Sequence, residues 1–484
     1  MSLRRVVGLA LVVAAGAQQQ PNFVHSFTPQ AAGPILPLSR IRGGIPRLGQ
    51  AANNIVLGND QQYTYVVQAV FSDNQPFNFV LDTGSSDLWV VSTDCNSPDC
   101  EAVPRFLSSL SKNFVRTSRR FLLQYLTGSV SGEMCYDTVS LGPYSISNQA
   151  FATVEQTMDL GLASTGTSGI AGLCFPASAA IPATVGPTLL QNLMSAFTPD
   201  NSFFAFHLGR ASGFNDPNAS FTIGSLDPKF APDRTLIAYS PVVRNQLFDY
   251  WKIAFERITV NGVPFTLSNS RIIGATFPIA VLDTGTTLIL GPTADVAAFY
   301  ALLGSCARFD VASSTYLVRC TCAVLVSFVL GSPAREFFLH PADIAWAEGA
   351  QGGWCTGGIQ ANDGVNSGDW LLGDCFLRNV YCVHHYSEDA PMVGLLNLTD
   401  PVAAMDEFRA ERGPDVDGGG KDSSDGSLIP LIADDGWDTA TGYVKRWEHR
   451  PSGTAAGIFG AVAGGIGFIL GGVGAISWRF WRGV

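Results

Sequence analysis

Charged residues are scarce in this sequence, and no basic stripe runs along it. Only 14% of its 484 residues are charged, with 29 basic residues against 40 acidic ones and a formal net charge of −11. A protein that binds nucleic acid through phosphates needs clustered lysine and arginine to neutralise them. The composition therefore argues against a nucleic-acid partner, and its many glycines and prolines are typical of a sheet-rich, turn-rich protein.

Sequence patterns for a metal site are missing as well. The six histidines are scattered, and none of the ten cysteines forms a Cys-x-x-Cys pair. Paired cysteines at that spacing are the usual signature of structural zinc. We therefore expect neither a metal nor another cofactor.

Both ends of the chain carry targeting signals. Residues 1–17 combine a basic start, a short apolar run and a small-residue cleavage site, and we predict a signal peptide. Residues 455–478 contain no charge and as a helix would be long enough to cross a bilayer. Arginines follow at once, which favours a short cytoplasmic tail at 479–484. The alternative is a removable lipid-anchor signal, which the arginine-containing end disfavours.

A chain with these ends enters the secretory pathway. We predict a single-pass type I membrane protein, at the cell surface or in an acidic vacuolar or endosomal compartment, or extracellular if it is shed. Ten cysteines in that setting favour disulfide bonds. The sequons at Asn218 and Asn397 are consistent with glycosylation there.

Between the ends, changes in composition and in residue pattern divide the chain into segments. Residues 18–55 are rich in Gln, Pro, Ala, Gly and Arg, and we interpret them as a pro-segment or a flexible lead-in. From there to residue 398, alternating and β-branched runs punctuated by turn residues predict strands. Residues 399–453 are polar, acidic and glycine-rich, which predicts a disordered stalk.

One internal repeat decides the architecture. The segment Phe-Val-Leu-Asp-Thr-Gly-Ser-Ser at residues 79–86 recurs as Ala-Val-Leu-Asp-Thr-Gly-Thr-Thr at residues 280–287. Each copy has a later partner of two apolar residues and a glycine, at 170–172 and 371–373, with the same spacing from its aspartate. Matching spacing in two halves of a chain indicates an ancient duplication.

The repeated aspartates predict acid–base chemistry. An apolar strand that runs into Asp-Thr-Gly brings a carboxylate to the end of a buried sheet, and the glycine allows a sharp turn there. If the two halves are related by a pseudo-twofold axis, Asp82 and Asp283 face each other. Adjacent carboxylates resist ionising together, so one stays protonated while the other is ionised. Such a pair can activate a water molecule and donate a hydrogen bond to a substrate oxygen.

These motifs resemble those of the pepsin family of aspartic endopeptidases. The resemblance extends from about residue 60 to residue 398 and is most specific at residues 80–90, 281–287 and 370–378. It implies an all-β, bilobal fold, in which two related β-barrel-like lobes enclose the active-site cleft. The N-terminal lobe would comprise residues 56–240 and the C-terminal lobe residues 241–398.

The resemblance also implies an activity. The protein would be an aspartic endopeptidase that cleaves polypeptides at acidic pH, with a preference for bulky hydrophobic residues around the scissile bond. Asp82 and Asp283 would be its catalytic residues, without a cofactor, and we expect a monomer. The other residues of the two loops would support them, and these are Thr83, Gly84, Ser85, Thr284, Gly285 and Thr286.

A hairpin that closes over substrate, the flap, is implied at residues 125–132. Tyr125 and Gly128 belong to it, and Trp89 would hydrogen-bond the tyrosine hydroxyl. Leu126 departs from the family pattern, since many members have glycine after the flap tyrosine. A second departure is Ser168, which replaces a common aspartate.

The cysteines fit the resemblance in part. It implies the disulfide bonds Cys95–Cys100 and Cys320–Cys355. For the remaining six cysteines we predict three pairs, which are Cys135 with Cys174, Cys306 with Cys322 and Cys375 with Cys382. Asp374, beside one of them, is a third carboxylate that the resemblance makes structural.

The competing hypothesis is a binding protein on the same scaffold that has lost catalysis. Such relatives usually lack an aspartate or the glycine behind it. Both Asp-Thr-Gly triplets are intact in this sequence. We therefore favour an enzyme over a binding protein.

Overall fold

Strands make up most of the regular secondary structure that the structure describes. The computed structural model describes residues 25–26, 34–43, 62–72, 74–126, 128–210, 219–365, 368–414, 437–438 and 443–444. Helices are few and short within them, so the all-β architecture predicted from the alternating sequence pattern is confirmed.

The strands of the first half belong mainly to two sheets. In chain order they are β1 (His25–Ser26), β2 (Ile35–Leu36), β3 (Ser39–Gly43), β4 (Gln62–Phe71), β5 (Gln75–Asp82), β6 (Leu88–Val91), β7 (Val115–Gln124), β8 (Ser129–Leu141), β9 (Tyr144–Met158), β10 (Gly169–Gly172), β11 (Phe203–His207), β12 (Ser220–Ile223) and β13 (Ala238–Pro241). A nine-stranded sheet has the order β1-β9-β6-β10-β5-β4-β8-β7, with β3 paired to β4.

The strands of the second half repeat the plan. In chain order they are β14 (Lys252–Val260), β15 (Val263–Thr266), β16 (Ile279–Leu282), β17 (Ile289–Gly291), β18 (Ala307–Asp310), β19 (Thr315–Arg319), β20 (Val326–Leu330), β21 (Arg335–Leu339), β22 (Ala345–Gln351), β23 (Trp354–Gly357), β24 (Ile359–Ala361), β25 (Trp370–Leu372), β26 (Val380–His385) and β27 (Met392–Asn397). An eight-stranded sheet has the order β21-β20-β14-β16-β25-β17-β24, with β15 paired to β14, and β18-β19-β23-β22 form a smaller one.

The remaining elements are short. The helices are α1 (Pro98–Glu101), α2 (Leu162–Thr165), α3 (Leu189–Met194), α4 (Thr293–Leu302), α5 (Pro341–Ile344), α6 (Asp374–Leu377) and α7 (Pro401–Arg412). Near the C-terminus, β28 (Trp437–Asp438) pairs with β29 (Tyr443–Val444).

The two large sheets share the feature that positions the repeated motif. In each sheet a later strand runs parallel to the strand that leads into Asp-Thr-Gly, β10 beside β5 and β25 beside β16. The same later strand is antiparallel to the strand that follows the triplet, which is β6 or β17. The two lobes of a pepsin-like fold thus reproduce the sequence repeat in three dimensions.

A six-stranded sheet joins the two lobes. Its order is β13-β27-β26-β11-β12-β2, so it takes strands from the first half, the second half and the N-terminal segment. One continuous core runs through it into both lobes and includes Phe204, Trp251 and Phe376. Because the lobes share this packed base, the loops facing each other across it are held at a fixed separation.

Part of the predicted pro-segment is built into these sheets. Residues 34–43 form β2 and β3, which pair with β12 and β4. Leu36, Leu38 and Arg40 are buried. The rest of residues 18–55 lies outside the described residues, apart from β1.

The stalk predicted for residues 399–453 begins with an ordered helix, which corrects that prediction. The Asp400 carboxylate caps α7 by accepting hydrogen bonds from the backbone N–H groups of Val402 and Ala403, both at 2.9 Å. Pro401 lies in the first turn, and Phe408 is buried in the core. The polar, acidic composition of the segment predicts disorder, although an Asp-Pro pair is a recognisable start of a helix.

In the part of the chain that the structure describes, no helix is both long and apolar enough to cross a membrane. The predicted signal peptide, membrane span 455–478 and tail lie outside that part, as does the sequon at Asn218. The sequon residue Asn397 lies in β27. Its side-chain amide donates to the Thr399 carbonyl at 3.1 Å, so the glycan-acceptor nitrogen is engaged within the fold.

Three disulfide bonds connect cysteines of the described residues. Cys95–Cys100 and Cys320–Cys355 are the pairs implied by the resemblance, and Cys306–Cys322 is a further predicted pair. These three predictions are confirmed.

The other two predicted cysteine pairs are wrong. The buried free thiols are Cys135, Cys174, Cys375 and Cys382. The Cys135 sulfur lies 3.4 Å from the Thr153 hydroxyl, whereas the Cys174 thiol donates to the backbone carbonyl of Asp249 at 3.0 Å. Cys135 and Cys174 thus have different hydrogen-bond partners in separate parts of the fold, which the order of cysteines in the sequence does not reveal.

Candidate active site

Asp82 and Asp283 lie at the ends of equivalent strands. Asp82 is the last residue of β5, and Asp283 directly follows β16. Both residues are buried, with 5% and 6% of their surfaces exposed. Each strand lies in the interior of its sheet, so the two carboxylates extend from rigid positions.

The two loops approach each other so closely that only glycine fits behind each aspartate. A Cβ atom on Gly285 would lie 2.5 Å from Asp82 Oδ1, and a Cβ atom on Gly84 would collide with the Asp283 carboxylate. The glycine of one triplet therefore lies against the carboxylate of the other. This mutual contact brings the two aspartates to one place.

Each aspartate accepts the same two hydrogen bonds within its own loop. The backbone N–H of Gly84 donates to Asp82 Oδ1 at 2.8 Å, and the Ser85 hydroxyl donates to Asp82 Oδ2. In the second loop, Gly285 N–H donates to Asp283 Oδ1 at 2.8 Å and the Thr286 hydroxyl to Oδ2 at 2.7 Å. These donors fix the plane of each carboxylate.

The threonines of the triplets hold the two loops together. The backbone N–H of Thr83 donates to Thr284 Oγ1, and that of Thr284 donates to Thr83 Oγ1, both at 3.1 Å. Each hydroxyl then donates onward across the interface, Thr83 to the Leu282 carbonyl at 2.9 Å and Thr284 to the Leu81 carbonyl at 2.6 Å. Four buried hydrogen bonds therefore cross between the halves directly behind the aspartates.

Burial dominates the electrostatics of the pair. It raises the pKa of Asp82 to about 7, with the negative charge of Asp283 as the next cause. Burial likewise raises the pKa of Asp283, although the donors Thr286 and Gly285 favour its ionised form. Two adjacent buried carboxylates cannot both ionise cheaply, so the pair retains one proton over a wide acidic range.

A hairpin reaches over this pair from the first lobe. Val115–Gln124 of β7 pair with the first part of β8, from Ser129 to Tyr136, and at the tip the Tyr125 N–H donates to the Gly128 carbonyl at 2.7 Å. The indole N–H of Trp89 donates to Tyr125 Oη at 2.7 Å, as the resemblance implies. Burial and the negative charge of Asp82 raise the pKa of Tyr125, so its phenol stays neutral.

The structure at the tip of the hairpin accounts for the glycine at position 128 and for the effect of Leu126. A Cβ atom on Gly128 would collide with the backbone carbonyl of Met158 on β9, so this position needs glycine. Leu126, which departs from the family pattern, is 56% exposed. Its side chain therefore changes the outer surface of the flap and not its packing.

Comparison with known proteins agrees with this geometry. A family model described as eukaryotic aspartyl protease matches residues 62–397. The chain belongs to this family. Chymosin from Callithrix jacchus is 30% identical over 325 residues, which cover 66% of this chain and 77% of the relative. Cathepsin D from Dictyostelium discoideum is 30% identical over 337 residues, 68% of this chain and 81% of the relative. The protein is accordingly an aspartic-type endopeptidase.

Two positions behind the loops of this aspartyl protease differ between the halves. Asp369, just before β25, accepts hydrogen bonds from the Ser270 hydroxyl at 2.6 Å and from the backbone N–H groups of Arg271 and Ile279 at 2.7 and 2.9 Å. Ser168 occupies the corresponding position before β10, and its buried hydroxyl has no hydrogen-bond partner. Sequence analysis missed Asp369, although the spacing of the repeat aligns it with Ser168.

A further acid supports the first loop of the protease. Asp87 accepts hydrogen bonds from the backbone N–H groups of Ala180 and Ile181, both at 2.8 Å. It lies two residues before Trp89 and is buried. These two backbone partners could not be predicted from the sequence, because Ala180 and Ile181 lie far from Asp87 along the chain.

The third carboxylate singled out from the sequence does not join the pair. Asp374 is buried, and neither of its oxygens has a hydrogen-bond partner. Burial raises its pKa well above the usual range, against the opposing charges of Arg378 and Arg40. Its backbone N–H donates to the Thr286 carbonyl at 2.8 Å, so it contacts the second loop from behind. Within the described residues, no three His, Cys, Asp or Glu side chains are arranged to hold a metal ion.

Proposed function

We propose that the protease cleaves peptide bonds at acidic pH by means of a water molecule activated between Asp82 and Asp283. The observation that carries this proposal is the contact of each triplet glycine with the opposite carboxylate. The ionised carboxylate takes a proton from the water, which attacks the scissile carbonyl carbon. The protonated carboxyl hydrogen-bonds to the carbonyl oxygen as negative charge develops on it.

The groups around the pair support this chemistry without entering it. Ser85 and Thr286 hold the outer carboxylate oxygens, while the N–H groups of Gly84 and Gly285 hold the inner ones. Thr83 and Thr284 fix the separation of the loops, so that little reorganisation is needed during the reaction. The proton belongs to the pair, and the mechanism needs no metal.

Tyr125 closes the site in this proposal. Its hydroxyl, held by Trp89, places the hairpin tip over the aspartates and limits access of bulk water. A lid of this kind excludes competing solvent and orients the peptide. Gly128 allows the tip to turn against β9.

The proposed substrates are polypeptides with bulky hydrophobic residues at the scissile bond. Partly exposed apolar side chains line the first lobe beside Trp89, and these include Leu123, Leu160 and Ile170. Burying an apolar peptide side chain against them contributes about 25 cal/mol per Å² of apolar surface. The relatives named pepsin A, chymosin and cathepsin D share this family and support a proteolytic role.

We also propose that the protease is a monomer that enters the secretory pathway and is tethered by residues 455–478. The apolar ends of the sequence and three disulfide bonds support an oxidising compartment. The test is extraction of native membranes. Release by detergent but not by alkaline carbonate supports the tether, and release by carbonate contradicts it.

The experiment for the activity uses the full chain purified in mild detergent, with an unfolded protein as substrate from about pH 2 to about pH 8. Asp82→Asn and Asp283→Asn are assayed beside it. Acid-peaked cleavage that both substitutions abolish supports the mechanism. Full activity above about pH 9 contradicts the shared proton. A folded chain that cleaves nothing at any pH favours the binding-protein hypothesis.

A further inference from the structure

A short segment at the start of the second lobe touches the neighbours of both aspartates. The indole N–H of Trp251 donates to the Leu173 carbonyl at 2.9 Å, and the backbone N–H of Leu173 donates to the Asp82 carbonyl at 2.7 Å. On its other side, the Trp251 carbonyl accepts from Leu282 N–H at 3.0 Å, directly before Asp283. One residue thus lies between the two loops, behind the carboxylates.

A second connection runs beside the first. The backbone carbonyl of Asp249 accepts hydrogen bonds from the Cys174 thiol at 3.0 Å and from the Ser178 hydroxyl at 2.8 Å. The backbone N–H of Cys174 donates to the Ser85 carbonyl at 2.8 Å. Ser85 is the residue whose hydroxyl holds Asp82. A chain of hydrogen bonds through Cys174 and Ser85 therefore connects the Asp249 carbonyl to the Asp82 loop, so a shift of that carbonyl would shift the loop.

An ion pair with a buried lysine holds the side chain of Asp249. The side chain of Lys252 has 0% of its surface exposed, and its Nζ lies 2.6 Å from Asp249 Oδ1, on a side chain that is 32% exposed. An ammonium group without solvent needs a close carboxylate to compensate for its lost hydration. Lys252 lies on β14 opposite Val281 of β16, so the pair is anchored to the strand that leads to Asp283.

We propose that Lys252 and Cys174 are positioning residues that fix the Asp82 loop relative to Asp283. Lys252 holds Asp249 in place, and the Asp249 carbonyl then holds the Cys174 thiol and with it Ser85. Lys252 and Cys174 are both fully buried, so neither is accessible to substrate. The inference rests on the proposed function of the aspartate pair and assigns the second lobe a direct part in orienting the first.

The chemistry of Cys174 suits this task. Burial raises the pKa of its thiol, and the charges of Asp82 and Asp283 act in the same direction. The thiol therefore keeps its proton and remains a donor. Because a buried thiol has only one proton to give, its orientation depends on the single acceptor that Asp249 offers.

The decisive variants are Cys174→Ala, which removes the donor, and Cys174→Ser, which keeps one. Cys135→Ala is the matched control, since it removes another buried free thiol of the first lobe that lies beside Thr153. For Cys174→Ala we expect kcat to fall about tenfold or more with KM within about twofold, because a displaced reacting group slows chemistry more than binding. Cys174→Ser and Cys135→Ala keep kcat within about threefold.

The ion pair is tested by Lys252→Met and by the double variant Lys252→Met with Asp249→Asn. Lys252→Met leaves Asp249 without its partner, and we expect kcat to fall about tenfold. The double variant recovers part of that loss, because the unpaired charge is gone. Equal kcat losses in the single and double variants would contradict the proposed route through Asp249.

A readout without turnover separates this inference from the proposed function. The carboxyl titration of Asp82 and Asp283, followed by carbon-13 NMR of the full chain, reports the geometry of the pair directly. We expect Cys174→Ala to shift it by about half a pH unit or more and Cys174→Ser to leave it unchanged. If the wild-type protein were inactive and the titration still differed between wild type and Cys174→Ala, the positioning role would be upheld and the proposed mechanism rejected. A Cys174→Ala variant with unchanged titration and unchanged kcat would overturn the positioning role.

Discussion

The two halves of the protease surround their aspartates with the same hydrogen bonds but differ at several positions farther from the pair. Asp82 and Asp283 each accept one backbone and one hydroxyl hydrogen bond from the same loop positions. The first half carries the flap, and the second half carries Asp369, an acid with three hydrogen-bond donors before its later strand. Residues that touch the shared pair stay matched, whereas residues farther back differ.

The reason for this difference is geometric. Each triplet glycine lies against the aspartate of the other half, so neither loop can change shape without displacing the other. Asp369, by contrast, accepts its hydrogen bonds from Ser270, Arg271 and Ile279, which all belong to its own half. Symmetry is therefore strictest where the halves touch.

The largest expected effect comes from breaking the matched contact itself. Gly84→Ala and Gly285→Ala each place a methyl group against the opposite carboxylate, so both should lower kcat/KM by at least about 100-fold. The measurement is steady-state cleavage at acidic pH. Gly364→Ala is the control, since its added Cβ would approach only the Asn362 side chain. A large loss from one glycine substitution and a small loss from the other would show that the two contacts are not equivalent.

The next effect concerns the free energy lost when the buried carboxylates of Asp82 and Asp283 ionise. The folded Asp82 has a pKa of about 7, so between about pH 4 and about pH 7 the folded state keeps a proton that the unfolded state has lost. Stability therefore falls as pH rises through that window. Asp82→Asn removes this penalty and should stabilise the protein at pH 7 by up to roughly 4 kcal/mol, with little change near pH 3. Asp283→Asn should act in the same direction.

Urea unfolding at both pH values, followed by fluorescence, measures this change. Because the proton is shared, either substitution should give a similar gain at neutral pH. A gain confined to one variant would show that the two halves carry the proton unequally. Loss of stability at pH 7 in both variants would contradict the raised pKa.

A third effect tests the unmatched positions. Asp369→Ala removes a buried carboxylate that accepts three hydrogen bonds and should lower the free energy of unfolding by roughly 3 kcal/mol. Ser168→Ala removes a hydroxyl without a partner and should change it by less than about 0.5 kcal/mol. Urea titrations of both variants measure the contrast. Equal losses would mean that Ser168 has a structural role that its contacts do not show.

The sequence predicted the parts of the site that local pattern and repetition encode. The repeat identified Asp82 and Asp283, and the resemblance identified the flap contact between Trp89 and Tyr125. The aspartates and the flap contact both belong to short sequence motifs, whose chemistry can be inferred without knowing the three-dimensional structure. The strand pattern likewise predicted an all-β chain, since alternation is a local property.

The parts that could not be predicted depend on contacts between distant segments. The buried Lys252 pairs with the partly exposed Asp249, and Cys174 donates to a carbonyl that belongs to the other half of the chain. The same limit explains why the pairing predicted for Cys174 with Cys135 is wrong. Contacts of this kind arise from three-dimensional packing between distant segments, and the periodicity of the sequence does not predict them.

The smallest expected effect separates the two hydroxyls that hold the carboxylates. Ser85→Ala and Thr286→Ala each remove one hydrogen bond to a charged group, so both should lower kcat about tenfold. Ser85→Ala should lose more, because the Ser85 hydroxyl also acts on the flap tyrosine, where it lowers the pKa of Tyr125 against the effect of burial. Ser85→Thr and Thr286→Ser keep the hydroxyl and should stay within about threefold of wild type. If Thr286→Ala were the more damaging substitution, the flap would not depend on Ser85, and the asymmetry between the halves would have to arise elsewhere.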